Sequence, residues 1–158
     1  MKKGTSGNAP YEEDLLLYLG VESISDVTFF SRLETGDAMF HSRTYKRVSR
    51  RNNFTVAYQR GATIFYGQVE VFFAVKDNLR LACGAIIAPM PLTGHRICNS
   101  DELLGASPVN HIVCLQQPAQ NRFDVIPLED IIDVCVYMKF SDTDVGYAAH
   151  FPNHIEKD

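Results

Sequence analysis

The sequence predicts an all-β, mainly antiparallel domain, barrel-like, with one short N-terminal helix and one long loop. Three observations carry this. Apolar and polar residues alternate with a period of two over most of the chain beyond residue 54, and that period marks a strand with one buried face. The runs are separated by short turn signals such as Arg60-Gly61 and Lys76-Asp77-Asn78, too brief for a crossover helix, so neighbouring strands pair antiparallel. In 158 residues, 46% apolar and 22% charged, there is material for one core and too much of it for a disordered chain.

Residues 1–9, small and polar, are an expected disordered lead-in to a single domain over residues 10–158. Pro10-Tyr11-Glu12-Glu13-Asp14 opens the helix: proline suits a first turn, and acids there complement the helix dipole. Gly20 stops it after Leu19. Phe40 to Ser49 reads as a strand in which His41, Arg43, Tyr45 and Arg47 share a face. Phe54, Val56 and Tyr58 form a shorter strand ending at the Arg60-Gly61 turn. Next, Thr63, Phe65, Gly67, Val69, Val71, Phe73 and Val75 take alternate positions, which predicts one apolar face. Leu79, Leu81, Cys83, Ala85 and Ile87 line a third strand and complete a meander.

Pro89 to Pro108 is the long loop, with a helical turn expected at Asp101-Glu102-Leu103-Leu104. Val109 to Leu115 and Phe123 to Ile126 return as strands, and Leu128 to Ile131 makes one helical turn. Ile132, Val134, Val136, Met138 and Phe140 then alternate with Asp133, Cys135, Tyr137 and Lys139, and a last strand runs from Val145 to Phe151. The expected core is Phe65, Val69, Val71, Phe73, Leu81, Ile87, Val134, Val136 and Met138. On that pattern Val136→Asp prevents folding, because an unpaired buried carboxylate costs several kcal/mol.

Charge is segregated along the chain. The net charge is -4, yet between His41 and Arg60 stand six basic residues (Arg43, Lys46, Arg47, Arg50, Arg51 and Arg60) and no acid. From Phe123 to Asp158 there are eight acids against Lys139 and Lys157. A local basic surface attracts phosphates whatever the total. Arg43, Tyr45, Lys46, Arg47, Arg50 and Arg51 are therefore the candidate nucleic-acid-binding residues: the cations neutralise adjacent phosphates, and Tyr45 stacks on a base or a guanidinium. Lys46-Arg47-Val48-Ser49-Arg50-Arg51 also has the composition of a nuclear localisation cluster. The competing account is an edge strand kept soluble by charge.

No catalytic residue, metal or cofactor is expected. His95-x2-Cys98 and His111-x2-Cys114 have a zinc-like spacing, but residues three apart on a strand point to opposite faces. Pro152 forbids the helix that would align His150 with His154. Gly105-Ala106-Ser107 lacks the second glycine of a nucleophile elbow, and no phosphate-binding glycine loop occurs. Four evenly spread cysteines do not make a disulfide scaffold. The basic start is followed by no apolar stretch, and the run from Leu81 to Leu92 contains Pro89 and Pro91, so neither a secretory signal nor a membrane partner is expected. The chain is expected inside the cell, in the nucleus, with no oligomeric state implied.

Phe40-His41-Ser42-x2-Tyr45-x-Arg47-x3-Arg51-Asn52-x-Phe54-Thr55-Val56, Tyr66-Gly67-Gln68-Val69-Glu70 and the ending Phe151-Pro152-Asn153-His154-Ile155-Glu156-Lys157-Asp158 resemble the uncharacterised C-terminal regions of proteins encoded by En/Spm-like transposons of plants and invertebrates. The likeness runs from about Val27 to Asp158 and is specific at its two ends. Glu102-Leu103-Leu104, a strand at His111, and Val125-Ile126-Pro127-Leu128-x2-Ile131-x3-Cys135-Val136 are similar in order to bromo-adjacent homology domains, β-rich chromatin modules with a long inserted loop. The tryptophan-phenylalanine-tyrosine strand of those modules and its Arg-Pro-Glu continuation are lacking. The expectation is a non-catalytic accessory module of a mobile-element-type protein, binding nucleic-acid backbone through the basic strand and the basic turn expected at Arg50-Arg51-Asn52-Asn53. The alternative is a protein-interaction or chromatin-reader module, with Tyr45, Tyr58, Tyr66 or Tyr137 caging a methylated lysine.

Overall fold

The computed structural model describes residues 9–36, 38–46, 54–77, 80–93, 98–101, 105–108, 112–139 and 144–150; most of the expected lead-in lies outside them. Helix α1 (Glu12–Leu19) forms where its acidic first turn and its terminal glycine place it. Gly20 ends it in the left-handed conformation at φ 66° and donates its N–H to the Leu16 carbonyl. Strands β1 (Val27–Phe30), β2 (Arg32–Thr35) and β3 (Ala38–His41) follow. The expected meander is then formed by β4 (Thr55–Arg60), β5 (Thr63–Asp77) and β6 (Arg80–Pro89). Gly61, at φ 62°, opens the turn between the paired Arg60 and Thr63, since so tight a hairpin needs positive φ.

The segment read as a long loop holds a hairpin, β7 (Cys98–Asp101) against β8 (Gly105–Pro108), so Asp101 ends a strand rather than opening a helical turn. Their sequences, CNSD and GASP, have no apolar alternation to announce them. The rest of the sheet is β9 (Ile112–Gln116), β10 (Asp124–Pro127), β11 (Ile131–Lys139) and β12 (Val145–His150), with a 3₁₀ turn at Leu128–Asp130. All pairings among the described residues are antiparallel. The main sheet runs β10-β6-β5-β4-β11-β12-β9, with β1 also on β5. Among the described residues this ladder does not close into a barrel.

Strand β5 is where alternation misleads. Val69 faces Ile87 and Val71 faces Ile86, so Glu70 is one residue too many for the ladder, a β-bulge. Val69 and Phe72 consequently pack into one cluster with Val56, Tyr58, Ile87 and Ile126. Val71 and Phe73 pack into another with Leu15 of α1 and Ile86. Phe65, on the far side of the bulge from Val71, is 38% exposed rather than core, and Leu81 is 69% exposed. Each fully buried Leu, Ile or Phe here contributes about 1.5–3 kcal/mol.

A third cluster takes one side chain from each of five strands, Ala57, Tyr66, Leu115, Cys135 and Ala148, together with Met90. It reverses the expectation for β11. Cys135 is fully buried, whereas Val136 is 43% and Met138 63% exposed. Val69, Val71, Phe73 and Ile87 are buried as expected, and Val134 partly so. Val136→Asp is therefore expected to fold, at a cost below about 1 kcal/mol from strand propensity alone. Thermal melts followed by circular dichroism check this: a Val136→Asp chain without a cooperative transition would return Val136 to the core.

Candidate nucleic-acid interface

The expected strand from Phe40 to Ser49 is cut short in the structure, because β3 ends at His41 and Arg43 and Thr44 form a turn. Local bonds outcompete the ladder there. The Ser42 and Thr44 hydroxyls lie 2.7 Å apart in a hydrogen bond, and Tyr45 N–H donates to the Ser42 carbonyl at 3.1 Å. The turn is tied to the β5 bulge. Arg43 N–H donates to the Val69 carbonyl at 2.8 Å, and Thr44 Oγ1 donates to the Glu70 carbonyl at 3.4 Å. The bulge thus anchors the first cation of the basic stretch.

Arg43 is exposed, and its guanidinium meets Glu70 Oε2 at 3.3 Å. Such a surface pair adds at most about 1 kcal/mol to stability, but it orients the side chain. Lys46 is exposed. Tyr45 is half-buried and stacks on His41, ring centroids 4.3 Å apart and planes within 6°. One of its faces is therefore covered by an imidazole. His41 is 7% exposed, and its Nδ1 has no partner among the described residues. Burial, then the Arg32 charge from β2, pulls its pKa below the ordinary value, so the ring is neutral at pH 7. Arg47, Arg50 and Arg51 lie outside the described residues.

Arg43 lines a cleft of about 370 Å³. Gln68 and Glu70 of β5 form one wall, and Gln117, Gln120 and Asn121 of the loop after β9 form another. Gln68 is only 7% exposed yet lines this space. The loop is held by backbone and side chain: Gln117 N–H donates to the Asp144 carbonyl at 2.9 Å, and its Nε2 donates to the Tyr137 hydroxyl. Asn121 sits at φ 58°, a conformation asparagine adopts more readily than most side chains. Amides carry both donors and acceptors without charge. Beside a guanidinium they suit a ligand with anionic oxygens and polar ring edges. For the loop amides the signal in the sequence is the unpatterned polar run Gln116-Gln117-Pro118-Ala119-Gln120-Asn121, whereas Gln68 sits unmarked inside a strand.

Of the tyrosines of the alternative reading, Tyr66 and Tyr137 share a cluster, while Tyr45 and Tyr58 lie apart from it. Tyr58 is fully buried in the first cluster, Tyr66 lies in the third, and Tyr137 packs against that third cluster. Tyr58 instead donates to Asp124 Oδ2 at 2.7 Å, while Arg60 meets Asp124 Oδ1 at 2.8 Å. Of the paired His and Cys residues, His95 and His111 lie outside the described residues, and Cys114 is buried in β9. No described helix is long and apolar enough to cross a membrane. Comparison with family models, with curated proteins and with solved structures finds no match to this chain.

Proposed function

We propose that the chain is a non-catalytic accessory module of a mobile-element-type protein, acting in the nucleus and binding nucleic-acid backbone. The observation that supports this is Arg43, an exposed guanidinium fixed at an amide-lined cleft where the acid-free stretch begins. Its pair with Glu70 uses one nitrogen, leaving donors for phosphate oxygens. Lys46, Arg47, Arg50 and Arg51 follow within eight residues of it. We read the sheet as barrel-like, since Gln116 N–H donates to the Pro91 carbonyl at 2.8 Å and Thr93 N–H to the Cys114 carbonyl at 2.9 Å. These bonds draw the segment after β6 against β9, an end strand of the main ladder. The protein-interaction alternative draws support from the exposed Val136 and Met138 on β11.

A salt titration of binding to labelled oligonucleotides tests the reading. With Arg43, Arg47, Arg50 and Arg51 on phosphates, log K falls with log salt at a slope of about -3.6 on duplex and about -2.8 on single strands. Replacing Arg50 and Arg51 together by Ala flattens the duplex slope by about 1.8 and weakens all sequences alike. A chain that binds no nucleic acid at low salt overturns the reading and puts protein interaction first.

A further inference from the structure

Across the loop from the amide-lined cleft lies a second, apolar groove of about 270 Å³. Ile64, Phe65, Met90, Pro91 and Leu92 line it, with Arg122 at one side, and Ala119 borders both spaces. Ile64 is 46%, Phe65 38% and Leu92 59% exposed, apolar surface that neither α1 nor the β2–β3 hairpin covers. Phe65 is backed by the buried Tyr58, ring centroids 5.9 Å apart and planes 26° from parallel. The platform is therefore held in place before any ligand arrives. Among the described residues Arg122 makes no ion pair and no acid lines the groove. An apolar slot with a cation at its side complements a flat ring joined to an anion.

We infer that this groove takes one unpaired base of a single strand, stacked on Phe65 with its phosphate on Arg122, as the strand continues past Ala119 from the amide-lined cleft. This rests on the nucleic-acid reading above and adds strand type to it. A base inside a duplex has both faces covered by its neighbours and cannot enter. The volume is below that of sites for drug-sized ligands, in keeping with one ring system.

The test measures anisotropy of a labelled oligothymidylate and of a mixed-sequence duplex of equal length, using the full chain. Wild type is expected to prefer the single strand. Phe65→Ala is expected to weaken single-strand binding about tenfold or more, the size of one lost base–aromatic stack, and to change duplex binding less than about twofold. Phe65→Leu, which keeps apolar bulk without a π face, and Arg122→Ala are expected to act in the same direction; thermal melts identify any variant that fails to fold. Equal wild-type binding to both strands, or folded variants that lose nothing on the single strand, overturns the inference and leaves backbone binding standing. No binding to either nucleic acid overturns both. Competition separates the remaining occupant: thymidine monophosphate is expected to displace the single strand better than octanoate, and the reverse order would assign the groove to an apolar carboxylate.

Discussion

Deleting Val71 is expected to abolish cooperative unfolding, whereas deleting its neighbour Glu70 leaves a chain that folds. The difference lies in the β5–β6 register, where Val69 and Val71 oppose Ile87 and Ile86, adjacent residues of β6. Without Glu70 the ladder becomes regular, and every apolar side chain keeps its face. The losses are the Arg43–Glu70 pair and the bond from Thr44 to the Glu70 carbonyl. Without Val71, Glu70 must take the place opposite Ile86, which sets a carboxylate against Leu15 and Phe73. That costs several kcal/mol, besides about 1.5–3 kcal/mol of lost valine burial, against a total stability of about 5–15 kcal/mol. Slipping by one residue offers no escape, because it turns Phe72 and Phe73 to the wrong faces. Thermal and urea melts by circular dichroism decide it. A cooperative Val71 deletion, or an unfolded Glu70 deletion, means that the bulge is misplaced.

The bulge explains where the sequence is readable and where it is not. The helix is legible because its signals are local: Pro10 before it, acids in its first turn, Gly20 at its end. The meander is legible because Arg60-Gly61 and the region around Asp77 interrupt the alternation. Within β5, though, both faces are partly apolar, with Tyr66 and Phe72 opposite the run from Phe65 to Val75. A change of face at Glu70 therefore leaves no gap in the pattern. On β11 the alternation ranks Val136 and Met138 above Cys135, but the third cluster covers the face that carries Cys135 and Tyr137. Val136 and Met138, on the other face, stay exposed. As for the candidate site, Arg43 and Lys46 are legible as charges without acids nearby. The amides are not, since Gln68 and Gln117 are far apart in sequence and meet only through the sheet.

Above pH 9 the protein is expected to lose stability steeply, and Tyr58→Phe combined with Cys135→Ala is expected to flatten that loss. Burial raises the Cys135 thiol from 9.0 to about 12, with Asp133 adding to the shift. Burial, then the hydrogen bond to Asp124, raises Tyr58 well above its ordinary 10.0. Both groups are neutral in the fold and ionise more readily in the unfolded chain. Their stabilisation is thus complete below the unfolded pKa and disappears as pH rises toward the folded one. For Cys135 that window runs from pH 9.0 to about 12, and for Tyr58 it begins at 10.0. Each group contributes a slope of about 1.4 kcal/mol per pH unit inside its window. At neutral pH Tyr58→Phe costs about 1.5–3 kcal/mol on its own, because Asp124 loses a donor to its charge. The double variant therefore starts lower at pH 7 and falls more slowly between pH 10 and 12. Urea midpoints across pH 7–12, read with tyrosinate absorbance, test both parts. Parallel curves for wild type and double variant would show that Cys135 and Tyr58 titrate alike in the folded and unfolded chains, and the buried Tyr58–Asp124 contact would have to be abandoned.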